Sequence, residues 1–448
     1  MYKRCCLDQP PPSAAPPGAG IQQQSAGSEQ GEQVPASSLA TELTIIVETA
    51  AGHVVRRVPT ARPLPGGENR GPEAEAATAD AAALWGLPDF VYRAGAQQTA
   101  SGVDEIGDRL LVVGDTGVVV QVKCRDALTD DSDKEGRWIV KHTRKAIRQA
   151  RGSVRTLRTR AITAKNARGR EIDLSADNRR WLGVIVIDHP NPPENLDLEV
   201  EASAEDLVVL LRRDWEFLFD QLKSTHAVVE YLRRVSGEII ELGTEPMRYY
   251  DLAQADARAQ PDPIDPALLG PGGIHASAPL LPLAPVARED RDAHSLVRMI
   301  LEDIAISRAP GVSEAQRLRA LAELDRVPVS HRADVGRFLL AKFDEVIEAE
   351  DLFQVRRLVG RSGDFHLAFG VASRLDQDTF AGWVQLRHHQ LQTVTGKWEE
   401  QITVAVLLTP RHDGRRPWDT TMIAVVGDLG LSDKEVSTLR DVFDTAAL

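Results

Sequence analysis

The sequence predicts an α/β protein, and three observations predict it. Short β-branched runs end in tight turn signals, stretches with a helical apolar period stand between them, and the two kinds of segment alternate along the chain. At 448 residues there is room for two or three domains of roughly 100–200 residues each.

Taken in order, residues 1–40 are rich in Pro, Ala, Gly, Gln and Ser and are expected to be a disordered tail, having too little apolar surface to offset ordering entropy. In 41–76, two β-branched runs around Ala50-Ala51-Gly52 predict a hairpin at about 42–58, followed by a Pro/Gly/Glu/Ala linker from 60 to 76. A folded unit is expected over 77–250. It opens with a short helix (ADAAALWGL) and an extended segment at 90–93. Apolar runs at 110–113 and 118–122 flank Gly114-Asp115-Thr116-Gly117, a strong hairpin pattern. A helix at about 137–160, a buried strand at 184–187 before Asp188-His189-Pro190, and a strand at 208–211 follow. Asp214 is expected to cap one long helix running to 235. The order is α-β-β-β-α-β, then β-α. Residues 251–290 read as a Pro/Ala-rich linker. Residues 291–448 read as a second α/β (α+β) module. Its helices fall at 296–306, after the capping box Ser313-x-x-Gln316, and at 333–349. Strands at 365–372, 402–408 and 421–426 enclose a helix at 379–391, and Ser432-x-x-Glu435 opens the last helix.

Composition narrows the function classes. Three cysteines and no Cys-x-x-Cys exclude a disulfide framework and a cysteine zinc site, and fit a reducing, cytoplasmic setting. The start lacks the apolar stretch of a signal peptide, and no apolar run approaches the ~18 residues of a membrane span, so no membrane partner is expected. No phosphate loop, nucleophile elbow or dinucleotide fingerprint occurs. The formal net charge of −13 argues against a globally basic nucleic-acid binder. Yet residues 134–170 hold thirteen lysines and arginines against one acid, Glu135.

The segment GVDEIGDRLLVVGDTGVVVQVKCRD, residues 102–126, carries the chemistry. Side chains alternate along a strand, so Gln121 and Lys123 share one face and Val120 and Val122 the other. Folding the hairpin returns Asp108 beside Lys123. A carboxylate, an amide oxygen and an ammonium then meet at one sheet end, as metal-dependent phosphodiester hydrolysis requires.

Asp108-x12-Gln121-x-Lys123 resembles the PD-(D/E)xK nuclease superfamily, in the QxK variant of Mrr-like restriction enzymes, over about residues 78–190. The resemblance implies a restriction-endonuclease-like αβββαβ core with a mixed sheet. It implies Mg²⁺ (or Mn²⁺) held by Asp108, Gln121 and the Val122 carbonyl, with Glu105 as a further ligand and Lys123 on the water or phosphate. Gly107 stands where the family has proline. A literal Pro88-Asp89 lies upstream, away from the hairpin.

The helix at 137–160 adds the substrate. Ile147, Ala150, Val154 and Leu157 form a buried stripe. Arg144, Arg148, Arg151, Arg155 and Arg158 repeat the same steps one position away, with Lys141, Lys145 and Gln149 on the same helix. Arginine forks suit phosphate oxygens, so DNA is the expected partner. Lys145 and Gln149 are also candidates to face the active site.

The expectation is therefore a DNA nuclease in genome defence or repair. The alternative is a catalytically degenerate relative, with neutral Gln121, that binds nucleic acid or protein without cutting. Histidines 366, 388, 389 and 412 lack metal-ligand spacing, and His226 reads as a core histidine. Residues 291–448 carry no recognisable chemistry and read as a module for dimerisation, a protein partner or signal sensing.

Overall fold

A computed structural model describes residues 42–443, apart from 50–51, 67–68, 96, 100–101, 105, 175–178, 195, 197, 199–205, 239, 260–267, 269–272, 276–280, 308–310, 361–362, 364 and 412–415. The tail at 1–40, Glu105 and His412 lie outside the described residues.

The first hairpin forms as β1 (Leu43–Thr49) and β2 (Gly52–Val58), with Val47 opposite Val54. Helix α1 (Arg70–Trp85) starts earlier than expected, inside the stretch read as linker. Pro72 falls in its first turn, where the missing N–H would have no helical acceptor anyway. Then come β3 (Val91–Ala94), β4 (Gln97–Thr99), β5 (Gly102–Asp104), β6 (Arg109–Val113) and β7 (Thr116–Cys124). The β6–β7 loop is the two residues Gly114-Asp115, shorter than the four-residue turn expected. Gly114 has φ +57°, which a two-residue hairpin asks of its first central position.

Helix α2 (Ser132–Thr159) leads to a hairpin missed in the sequence, β8 (Ile162–Asn166) and β9 (Glu171–Leu174), then β10 (Arg180–Asp188) and β11 (Leu207–Leu211). The long helix expected from Asp214 is two: α3 (Arg212–Leu222) and α4 (Thr225–Val235). The break is at Lys223, in left-handed backbone at φ 50°. Ser224 restarts the helix, its Oγ accepting from Ala227 N–H at 3.0 Å. Asp214 stands in the first turn of α3, its carboxylate accepting from Leu211 N–H at 3.4 Å. Helix α5 (Glu245–Arg258) runs on into the stretch read as linker.

These strands make one sheet in the order β11-β10-β7-β6-β3-β8-β9. β7, β10 and β11 run parallel, and β6 is antiparallel to both β7 and β3. Helix α2 covers one face: its Ile139, Ala146 and Ile147 pack with Leu110, Val119, Ile185 and Ile187. Helices α1 and α3 cover the other: Ala82, Trp215 and Phe219 cluster with Leu111, Val118, Val120 and Val184. The result is a three-layer α/β arrangement.

A second sheet, β12-β13-β14-β15-β16, comprises β12 (Gly273–His275), β13 (Phe353–Val359), β14 (His366–Ala372), β15 (Ile402–Pro410) and β16 (Trp418–Val426). It carries α6 (Arg291–Ile306), α7 (Glu314–Asp325), α8 (Val329–Glu348), α9 (Gln377–Thr395) and α10 (Asp433–Phe443). The Ser313–Gln316 capping box is present. The apolar core is continuous between the halves, since Val228 and Leu232 share a cluster with Leu301, Leu321 and Phe369. No helix of the described residues is long and apolar enough to cross a membrane.

Candidate nuclease site

The hairpin β6–β7 builds the candidate site at the end away from its turn. Pairing begins at Arg109 opposite Val120, and Asp108 N–H donates to Val120 O at 3.0 Å. The ladder then continues through a side chain: Val122 N–H donates to Asp108 Oδ2 at 2.6 Å. The chain leaves the sheet at Gly107, whose φ is +66°. Proline is locked near φ −65°, so the residue before Asp108 cannot be proline in this backbone. A Cβ at position 107 would also stand 3.0 Å from Val119 Cγ1. The glycine is a local consequence of how the chain enters β6.

Beyond Arg109 opposite Val120 the regular register ends: Asp108 N–H meets Val120 O and its carboxylate meets Val122 N–H, so Asp108 and Gln121 stand at the same end of the hairpin. Lys123 joins them, its Nζ donating to Gln121 Oε1 at 3.5 Å. The three expected residues stand at one end of the sheet, Asp108 and Lys123 partly exposed and Gln121 only 3 % exposed. Val118, Val120 and Val122 face α1 and α3, as the alternation requires.

The surroundings hold this end rigid. Glu135, buried in the first turn of α2, accepts from Arg125 Nε and NH2 at 2.9 and 2.8 Å, from Thr129 Oγ1 at 2.9 Å, and lies 3.0 Å from His189 Nε2. The Arg125 hydrogen bonds hold its carboxyl well below the usual range, with His189 and Thr129 adding to the effect. One carboxylate therefore ties the chain after β7, the end of β10 and the start of α2 together. On the opposite face Cys124 Sγ donates to Asp188 Oδ2 at 3.1 Å, and Asp188 Oδ1 accepts from Arg212 Nε at 2.8 Å. Burial, then the Asp188 charge, pushes the Cys124 thiol up to about 12, so it is no nucleophile.

On α2, Lys141, Arg144, Lys145, Arg148, Gln149, Arg155 and Arg158 are exposed and Arg151 is half-buried, beside the buried stripe. Arg158 lies 3.8 Å from Asp206. Gln149 is exposed on α2, next to Ala150, which packs over Gly183 beside Val119 of β7. Sequence reasoning passed over Trp138 and His142. Their rings stack on α2 with centroids 4.5 Å apart and planes 20° apart. Burial and the charges of Lys141, Lys145, Lys123 and Arg125 lower the His142 pKa. The signal available was Trp138-x3-His142 next to the basic run.

Pro88-Asp89 belongs to another structure. Asp89 is fully buried, with Arg168 Nε 2.5 Å from Oδ2 and Arg317 NH1 2.9 Å from Oδ1. A cavity of about 530 Å³ lies at the other end of the β6–β7 hairpin, lined by Tyr92, Gly114, Asp115, His226, Arg319 and others, away from Asp108 and Lys123.

The C-terminal histidines form a polar chain. Arg357 Nε donates to His366 Nε2 at 3.0 Å, and His388 Nε2 can only donate to Gly427 O, also at 3.0 Å. His366 Nδ1–H then donates to Thr403 Oγ1 (2.9 Å), whose hydroxyl donates to His388 Nδ1 (2.8 Å). Every ring nitrogen of this pair is used within the core. Among the described residues no group of three His, Cys, Asp or Glu side chains is placed to hold a metal ion.

No family model matches this chain, and neither a curated protein nor a solved structure matches it.

Proposed function

We propose that this chain is a Mg²⁺- or Mn²⁺-dependent DNA nuclease of the restriction-endonuclease-like kind, working in the cytoplasm. The observation that carries the reading is that Asp108, tied to Val122 N–H, stands at the same end of a β-hairpin as the Gln121–Lys123 pair. The order α1, β3, β6, β7, α2, β10, with hairpins inserted, supports it because it follows the αβββαβ core of that fold.

The donor atoms suit a hard divalent cation, which takes oxygen ligands and retains several waters. Asp108 supplies a carboxylate and Gln121 an amide oxygen. In a strand, a residue's N–H and C=O point to the same flank, so the Val122 carbonyl points to the side where its N–H meets Asp108. When bound, such an ion neutralises charge developing on the phosphate and acidifies a coordinated water. The chain's own groups do the rest. Val122 N–H fixes Asp108, and Gln121 orients the Lys123 ammonium, which places positive charge beside the scissile phosphate. Exposed arginines of α2 hold the DNA backbone.

The test is plasmid nicking with Mg²⁺ or Mn²⁺, comparing wild type with Asp108→Ala and Lys123→Ala. Both variants are expected to lose cleavage by about 10²-fold or more. Cleavage surviving in both would sink the assignment. One observation favours a second reading, a relative that binds without cutting: Gln121 is neutral, which leaves less negative charge to hold a cation. That reading expects salt-sensitive, metal-independent DNA retention and no cleavage.

A further inference from the structure

Beside Lys123 the structure holds a ladder of flat groups. The Arg125 guanidinium lies over the Trp138 ring at 5.4 Å from its centroid, and the His142 ring stacks on Trp138. Arg125, Trp138 and His142 are each partly exposed. Trp138 has a packing role, since it rests against the α2-side core. Packing does not need the imidazole laid nearly parallel one turn further on, which carries the stack outward among the exposed Lys141 and Lys145.

We infer that the Arg125–Trp138–His142 stack is a platform for an unpaired nucleobase, so that the preferred substrate is single-stranded or frayed DNA. This rests on the nuclease reading of the neighbouring site. In a closed duplex every base face is covered by its neighbours, and an aromatic platform has nothing to stack on. In a single strand the bases are open, and a flat side chain beside a cationic track binds them with little regard to sequence. The burial and cations that lower the His142 pKa keep its ring neutral near pH 7, so that the stack meets the base as a π-face.

The test is fluorescence anisotropy of labelled oligothymidylate and of a mixed-sequence duplex, each of about 20 units per strand, at about 50 mM salt without divalent metal. Wild type is expected to favour the single strand. Trp138→Leu and His142→Ala should each weaken single-strand binding by roughly 5- to 150-fold and leave duplex binding within about twofold, while Trp138→Phe retains most of it. His142→Ala removes a partly exposed ring, so it reports even if Trp138→Leu fails to fold. Equal affinity for both DNAs, or equal loss on both, overturns the platform while Asp108-dependent nicking keeps the nuclease reading. No retention of either DNA also overturns the platform, and the nuclease reading falls with it only if Asp108-dependent nicking is absent too.

Discussion

Two aspartates stand just ahead of strands β3 and β6, and they are put to opposite uses. Asp89 is fully buried, clasped by Arg168 and Arg317, with Arg170 at 3.9 Å. Arg317 lies on α7 and Arg168 also reaches Glu302 on α6, so this carboxylate joins the two halves. Asp108 is partly exposed, with Oδ2 on the backbone N–H of Val122. A carboxylate enclosed by guanidinium groups in low dielectric is committed to holding chain segments together. One tied to a backbone amide at the end of a sheet stays partly in contact with solvent. The residue type is the same; what surrounds it decides the use.

The contrast breaks most clearly at Asp89. Asp89→Ala takes the fully buried carboxylate from between Arg168 and Arg317, leaving them only the Glu302 and Glu314 carboxylates, and urea denaturation should show a loss of about 3 kcal/mol. Asp108→Asn weakens the Val122 hydrogen bond, at about 1 kcal/mol for that contact, and on the proposed reading it abolishes cleavage. If the two variants are equally destabilised, the distinction fails. Gly107→Pro should behave as a damaged hairpin, losing about 2–3 kcal/mol, since the ring cannot reach φ +66°.

Acid sharpens the comparison within the shared core. Burial, then the charges of Arg326, Arg332 and Arg233, pushes His226 down to about 3, and burial lowers His366 as well. Their folded pKa values lie below the unfolded ones, so the unfolded chain binds more protons. Their contribution is intact above about pH 6.5 and is lost as pH falls below it, by at most about 1.4 kcal/mol per pH unit for each group. His226→Leu should flatten the urea stability profile between about pH 6.5 and pH 4 by that slope. The smallest effect is expected on the open side: Arg148→Ala should lower the slope of log K against log salt for DNA binding by about 0.9.

Much of the site was legible because its logic is local. Alternation placed Gln121 and Lys123 on one face, a glycine turn returned Asp108 to the same end of the hairpin, and the apolar stripe of α2 separated its buried side from its basic one. The capping box at Ser313 is equally local. The break at Lys223 was not legible, because a lysine in left-handed backbone leaves no glycine to mark it. Nor was the start of α1, where a first-turn proline reads as linker.

What the sequence alone determined is the α/β class, the hairpin and the three residues at its end, since strand and helix periods and turn chemistry act within a few residues. Only the tertiary structure decided which charges are spent. Arg317 reaches Asp89 across 228 residues of chain, and His366 and His388 meet at Thr403 from separate elements. Desolvation and ion pairing depend on what the rest of the chain brings into contact. Asp108 meets the Val122 backbone amide there and stays partly exposed at the end of the sheet.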